Sequence, residues 1–441
     1  MAVFRLAALL AIWCCFAAPL VGADPSSWPQ FRGPDGQGHA VSAMGLPPSW
    51  NENENIVWKC PLPGRGWSSP VMLGHEIWLT AAMEEPISEA EKAERLKGNT
   101  NSQPLIVAGK LSLRALCVNR QSGRLIHNVE LLVEPRPQPT HSTNTFASPT
   151  PVLEEGRLYC HFGSYGTACL DTATQRVVWT NRDLVIQHEN GPGSSPVVWG
   201  DYVIFHCDGS DAQFIAALDK RTGKLAWKTA RSGAMNAEPQ LKKCYGTPLV
   251  VELSGKSQLL SPAADWLYSY DPATGRELWK LPYEKLGFSI APRPVVGHGL
   301  LYMCTSFTQS EVLAIELNEK PKIAWRFARQ APQVPSPLLV GDELYLIGDK
   351  GIATCLDAKT GAIHWTERLP GNYYASPLFA DGRIYFFNRE GRSTAIAPSK
   401  TFYMLGTGQL DGPICASPAA IGQALYIRTE KSLYRVEYLK Q

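Results

Sequence analysis

The chain has 441 residues, with 42 Lys and Arg against 40 Asp and Glu and a formal charge of +2. A balance this even excludes the electrostatic footprint of a nucleic-acid binder or a polybasic membrane-surface protein. Gly (37) and Pro (34) are spread between short apolar runs instead of forming one low-complexity block, which implies many turns joining many short strands.

At the N-terminus, Arg5 precedes an apolar run that ends in Val21-Gly22-Ala23, a small-residue cleavage pattern. Residues 1–23 therefore read as a secretory signal with a mature start near Asp24. A retained membrane anchor is the alternative, since the run approaches spanning length. Cys14 and Cys15 follow the bulky Trp13, which argues against lipoprotein processing. The expected location is the periplasm or the exterior, and once the signal is cut the chain is not expected to be an integral membrane protein. Residues 24–54 form a lead-in whose stretch WPQFRGPDGQG (28–38) is aromatic and Gly-rich, suited to packing against the body at 55–441. Within that body, EEPISEAEKAERLKGN (84–99) has helical composition and is expected to be a surface helix or lid with a solvated charged face.

The body is repetitive. ALDKRTGKLAW, with Ala217, Asp219, Thr222, Gly223 and Trp227, recurs with Asp171 and Trp179, with Asp271, Gly275 and Trp279, and with Asp357, Gly361 and Trp365. Weaker copies end at Trp325 and at His127. Upstream of each copy a small residue plus Pro opens an apolar strand, and the spacing from Pro149 to Trp179, Pro196 to Trp227, Pro248 to Trp279 and Pro294 to Trp325 is nearly constant. Each unit spells strand, turn, strand, loop, strand, DxxTG turn and a last strand carrying Trp, which is the pattern of a β-propeller blade. Asp219 can accept backbone N–H bonds across the turn and Gly223 can supply a positive φ. The Trp is expected to fill the seam between neighbouring blades. Eight strand-opening signals predict eight blades, and the last of them runs out of chain after three strands. NIVWKCPL (55–62), with Trp58, is the expected fourth strand and would close the ring. Because the unit around TFYMLGTG lacks both the DxxTG turn and the Trp, a seven-bladed ring is the competing count.

The motif AxDxxTGxxxW resembles the tryptophan-docking motif of the eight-bladed quinoprotein, or PQQ-like, propellers, over nearly the whole mature chain. That family holds pyrroloquinoline-quinone (PQQ) alcohol dehydrogenases as well as non-catalytic propellers such as the outer-membrane barrel-assembly lipoprotein. The lead-in and the helical insert resemble secreted PQQ-like repeat proteins of planctomycete bacteria. The enzymes' pattern implies a quinone held by a stacking Trp and an adjacent-cysteine disulfide, with calcium bound by Glu, Asn and Asp and a nearby Asp as base. After Cys15 the sequence has no adjacent cysteines, and no residues match the calcium ligands or the base. PQQ and calcium thus rest on the resemblance alone, and no metal site is expected from CxxC-type spacings, which are absent from the mature part.

Ligands on propellers gather where the loops entering the innermost strands converge with the loops between the second and third strands. Candidates there are Arg65, Trp67, His141, Asn144, His188, Glu189, Asn190 and Tyr373, with Asp208, Asp265 and Lys350 from the middle loops. His188-Glu189-Asn190 combines an imidazole, a carboxylate and an amide, which suits a cation or a general base. A hydrogen-bonded polar loop accounts for the same residues. Trp67 beside Arg65 offers a stacking platform for a sugar or quinone ring, or an ordinary channel-lining aromatic. Cys117, Cys169 and Cys355 occupy equivalent strand positions and read as small buried hydrophobes. The reading that follows is a monomeric binding or scaffold propeller for a protein or carbohydrate partner of the cell envelope. A PQQ-dependent dehydrogenase acting on an alcohol or sugar is the alternative.

Overall fold

The computed structural model describes residues 27–99, 101, 103–284 and 286–439, so the signal reading at 1–23 lies outside the described residues. Eight sheets follow one another around a ring, each built on four antiparallel strands, and the seventh gains a fifth, parallel strand from His39–Ala40. The third blade is representative, running from Val197–Trp199 at the channel through Tyr202–Asp208 and Gln213–Asp219 to Leu225–Ala230 at the rim. The second and third strands of each blade are buried almost throughout, and the outermost alternates exposed with half-buried residues. This is what a sheet covered on both faces near the centre and wetted at its edge requires. In the eighth blade the outermost strand is Ile56–Pro61, antiparallel to Ser432–Val436 with Cys60 opposite Leu433. Early and late chain thus share one hydrogen-bonded sheet. Among the described residues no helix is long and apolar enough to cross a membrane.

The outer hairpin shows how few residues set the seam. Asp219 Oδ1 accepts from the backbone N–H of Arg221 and Thr222 and from the Thr222 hydroxyl, at 2.9–3.0 Å. Gly223 then turns the chain at φ 71°, and a bulge between Ala217 and Leu218 restores the register that sets Trp227 opposite Ala217. The residue opposite the ring is small in each copy: Cys169 faces Trp179, Ser269 faces Trp279, Ala314 faces Trp325 and Cys355 faces Trp365. The three cysteines Cys117, Cys169 and Cys355 are fully buried free thiols. All of these rings but Trp279 lie over a turn of the following blade. Trp179 Nε1–H donates to the Lys220 carbonyl at 3.0 Å, and a Cβ on Gly223 would come within 2.4 Å of that indole. Trp227 sits in the same way on Gly275 and the Pro272 carbonyl, and Trp325 on Gly361 and the Ala358 carbonyl. Trp365 reaches the Ser399 carbonyl, while Trp58 meets Gly123 and the Arg120 carbonyl of the first blade. Trp279 differs, donating to Gln258 of its own blade, because the next turn, Asn318-Glu319-Lys320, has no glycine to receive it.

Two features depart from expectation. The expected surface helix of the insert is shorter than 84–99, spanning Glu89–Arg95 with Ser88 as its cap and no buried residue, and residue 84 belongs to the strand Glu76–Glu84. In the second blade the opening Pro is Pro151, since the inner strand is Val152–Glu154 and Thr150, not Ser148, takes the place of the serines before Pro elsewhere. The seventh blade keeps four strands without a Trp of its own. Trp50 from the lead-in covers Gly408 there, stacks on Phe387 and lies beside Tyr385.

The rest of the lead-in crosses one end of the channel. Trp28 pairs with Met72, the Pro29 carbonyl accepts from Leu153, the Gln37 side chain accepts from Val296 N, and the Gly38 carbonyl accepts from Phe379 N. Segment 28–38 therefore touches the inner strands of blades one, two, five and seven.

If the docked ring sets the cost, Gly223→Ala and Gly74→Ala should separate. Both glycines have positive φ, but a Cβ on Gly74 meets nothing within 4 Å. Denaturant unfolding is expected to show a loss of about 1 kcal/mol for Gly74→Ala and about 1–3 kcal/mol more for Gly223→Ala. Equal losses would mean that backbone strain alone is being measured.

Candidate functional site

The residue before each opening proline forms a collar around the channel. Backbone N–H groups there are buried, and proline leaves no N–H of its own to continue the ladder. The collar resolves this from blade to blade. Ser69 N donates to Thr150 Oγ1, Thr150 N to Ser195 Oγ and Ser195 N to Thr247 Oγ1. After a break at Arg293, the one position without a hydroxyl, Arg293 N donates to Ser336 Oγ, Ser336 N to Ser376 Oγ and Ser376 N to Ser417 Oγ.

Above the collar opens a cavity of about 670 Å³ with wall residues from every blade. Its rings are Phe31 on the plug side, Trp67, Tyr245, Phe288, Phe307 and Tyr374. Between them stand the amides Asn101, Gln103, Asn144, Asn190 and Gln240, the collar hydroxyls, His141 and Lys243. No Asp or Glu lines it among the described residues. The one ammonium is itself sequestered, since Lys243 Nζ donates to Gln240 Oε1 at 2.6 Å and burial pushes its pKa down. Apart from Lys243, the described wall offers neutral donors and acceptors between aromatic faces.

Of the residues chosen from sequence, Trp67, His141, Asn144 and Asn190 share this cavity. Trp67 Nε1–H is spent on the Thr143 carbonyl, so the indole presents its ring and not its donor. Asn144 donates to the Asn190 and Pro192 carbonyls, which ties the second entering loop to the third. Arg65 stands off the cavity, between Glu84 at 3.4 Å and Glu430 at 3.7 Å. Asp265 turns the chain at φ 64° and pairs through its backbone with Tyr283, away from the cavity. Lys350 lies beside a separate hollow with Gln333 and Arg368. Tyr373 is buried in the seam and its hydroxyl donates to Pro370, while the adjacent Tyr374 faces the cavity under the Arg389 guanidinium.

The run His188-Glu189-Asn190 does not converge on a cation. The His188 ring is buried toward the second blade, with Nε2 accepting from Ser164 N at 2.9 Å. Glu189, at φ 66°, accepts from the Ser210 hydroxyl, and only Asn190 reaches the cavity. Tyr245 donates to the His188 carbonyl at 2.6 Å, so this loop acts as framework for a cavity ring.

Asp208 sits in the seam of the third and fourth blades. Its oxygens receive Arg231 at 2.7 and 3.0 Å, both side chains being essentially inaccessible. Against the cost of burial, the Asp208 charge holds the Arg231 proton firmly. His206, Asp208 and Cys244 bring ligand atoms within 4.8 Å of one another. A cation there would face the guanidinium, and Cys244 Sγ is directed at the Pro262 and Ile290 carbonyls. The donor set fits a structural ion pair. Calcium in the enzymes' manner does not fit the cavity either, since that ligand set combines Asn with Glu and Asp, and the described wall has amides but no carboxylate.

Residues not singled out from sequence include Asn101, Gln103, Gln240, Lys243, Tyr245, Phe288, Phe307 and Phe31. Tyr245 and Phe288 lie in entering loops that the repeat had marked. Lys243 shares the entering loop of Tyr245, and the others come from the insert region, the lead-in and irregular loops, where no period points to one face.

A family profile described as outer membrane protein assembly factor BamB, of the PQQ-repeat type, matches residues 74–259, 211–353 and 263–401. Among curated relatives, outer membrane protein assembly factor BamB of Legionella pneumophila (strain Paris) is 25% identical over 170 residues, 36% of this chain and 42% of that protein. Quinoprotein ethanol dehydrogenase of Pseudomonas aeruginosa is 28% identical over 141 residues, 30% of this chain and 22% of that one. The chain thus spans less than half the length of either relative. In solved structures, BamB from Moraxella catarrhalis superposes with a TM-score of 0.56 at 13% identity, covering 86% of this chain and 99% of that one. The quinohemoprotein alcohol dehydrogenase from Comamonas testosteroni gives 0.61 at 11% identity, covering 94% and 81%. At such identities the superpositions establish the fold.

The framework histidines carry a pH signature. Burial pushes His188 down to about 4 and His161 down to about 3, and His206 also lies well below the usual imidazole value. Each is neutral when folded and protonates in the unfolded chain from about pH 6.5, so stability is full above that pH and falls as pH drops toward 4. Up to about 1.4 kcal/mol per pH unit and histidine is expected to be lost over that range. Denaturant midpoints from pH 7.5 to 4 check this, and His188→Gln should flatten the slope.

Proposed function

The chain belongs to the PQQ-repeat family described as outer membrane protein assembly factor BamB, and on that premise we propose that it is a binding and scaffold module of the cell envelope, not a dehydrogenase. Its funnel receives a neutral, polar partner group, best matched by a carbohydrate, and its blade edges are available to a protein partner. The observation that carries this is the wall chemistry: aromatic faces alternate with amides and hydroxyls, and among the described residues no carboxylate lines the wall to serve as a base there. Stacking plus neutral hydrogen bonds is how sugar rings are held, the rings covering apolar C–H faces while amides meet hydroxyls. The relatives' printed role in outer membrane protein assembly supports a partner-binding use of the fold. The secretory reading of residues 1–23 supports a periplasmic or secreted location, and a ring closed by its own N-terminal strand supports a monomer.

The quinoprotein reading is kept in view by the similarity to quinoprotein ethanol dehydrogenase over 30% of the chain. Calorimetric titration of the mature protein with neutral oligosaccharides from envelope glycans is expected to show binding that Trp67→Ala weakens by about tenfold, the worth of one stacked ring. Incubation with PQQ and calcium is expected to leave the absorbance of the repurified protein unchanged and an artificial electron acceptor unreduced with alcohols or sugars. Dye reduction with quinone absorbance would replace the binding reading by the enzymatic one.

A further inference from the structure

The plug holds a second kind of chemistry behind the cavity. Phe31 faces the cavity, and its carbonyl accepts Arg293 Nη1–H at 2.7 Å. Arg293 is the collar residue that replaces a hydroxyl, and Arg32 follows Phe31 in the chain. Both arginines are 2% exposed. Two glycines of the lead-in make room for them: a Cβ on Gly36 would stand 2.3 Å from Arg293 Nη1, and one on Gly38 would stand 2.6 Å from Arg32 Nη2.

Their hydrogen bonds stop short of completion. Arg32 Nη2 donates to the Gln37 carbonyl at 2.7 Å, while its Nε and Nη1 are buried without a partner. Arg293 Nη2 reaches Gln30 Oε1 at 3.4 Å, and its Nε is likewise buried without a partner. The carboxylate acting on both guanidiniums is Asp35. It also accepts from Gln37 N and stands 3.6 Å from His39. Burial pushes Arg293 down to about 10, and burial with the charge of Arg293 pushes Arg32 down to about 9. At neutral pH both remain cations. Cys304, which lies near Arg32, supplies no countercharge, since burial holds it as the neutral thiol. Two buried cations therefore share one carboxylate, an arrangement that is unfavourable unless further negative charge enters.

We infer that a small inorganic anion completes this cluster, accepting from Arg32 Nε and Nη1 and from Arg293 Nε, and that it fastens segment 28–38 to the fifth blade. The donors are all N–H groups, which suits a halide or a small oxyanion. The ion is structural and independent of whatever occupies the funnel.

The test uses the mature chain in sodium gluconate, chloride, bromide and phosphate at equal ionic strength, gluconate being too large to enter. A rise in Tm of about 2 °C or more over gluconate is expected for the anion that fits. Halide-specific stabilisation assigns a halide, and phosphate-specific stabilisation assigns an oxyanion. Arg32→Met, which leaves one cation facing Asp35, should keep the β circular dichroism and lose the anion dependence. Asp35→Asn, which removes the countercharge, should enlarge it. Crystals grown in the stabilising salt, with bromide standing in for chloride, should show the ion between the two guanidiniums, by anomalous scattering for bromide. Ordered water at that point, with Tm indifferent to the anion or responding equally in Arg32→Met, would overturn the inference.

Discussion

The fold rests on one contact made repeatedly: an indole laid over the peptide of a glycine turn in the next blade. A single blade buries its middle strands on both faces but cannot supply the covering layer itself, so cohesion must come from the seam. The glycine is needed for two reasons at once. Its positive φ closes the hairpin, and its missing side chain lets Trp179 lie directly on Gly223 or Trp227 on Gly275. Where the glycine is lacking, as after Trp279, the ring turns to a partner in its own blade. Where the Trp is lacking, in the seventh blade, Trp50 comes from outside the repeat to cover Gly408. The seam is filled by whatever flat ring the chain can deliver.

Ring closure follows from the same contact. Ile56–Pro61 completes the eighth sheet, and Trp58 on that strand docks onto the first blade at Gly123. Segment 28–38 of the lead-in crosses one end of the channel. The two ends of the ring are thus chemically unequal, a plug with buried arginines on one side and an open wall of rings, amides and hydroxyls on the other. Burial is dominant throughout. It makes His188 a neutral acceptor and keeps the thiols protonated, and Asp208 and Arg231 withstand it only by pairing, so groups that look reactive in sequence serve as framework.

The candidate site was legible only in part, for a reason visible in particular residues. Trp67, His141, Asn144 and Asn190 were found because they lie in loops whose place the repeat predicts. Tyr373 was chosen where Tyr374 faces the cavity, and Pro149 where Pro151 opens the strand. The first is a slip of one residue, which along extended chain reverses the direction of a side chain, and the second is a slip of two along the same strand entry. His188 and Asn190, two residues apart, are turned away from each other by the left-handed conformation of Glu189, at φ 66°. Neighbours in sequence on an extended loop do not share a target.

What the sequence determined by itself is everything that is local and periodic: the four-strand unit, the Asp-Thr-Gly turn, the eight blades and the strand borrowed from residues 55–62. Those features are written into each repeat by spacing and by residues that only one backbone shape accepts. The tertiary structure decided what depends on residues from different repeats meeting. It set the hydroxyl collar passing from blade to blade, the carboxylate-free wall and the two arginines sharing Asp35 behind Phe31. Such contacts span up to hundreds of residues and are fixed only when the ring closes, so no stretch of chain carries them alone.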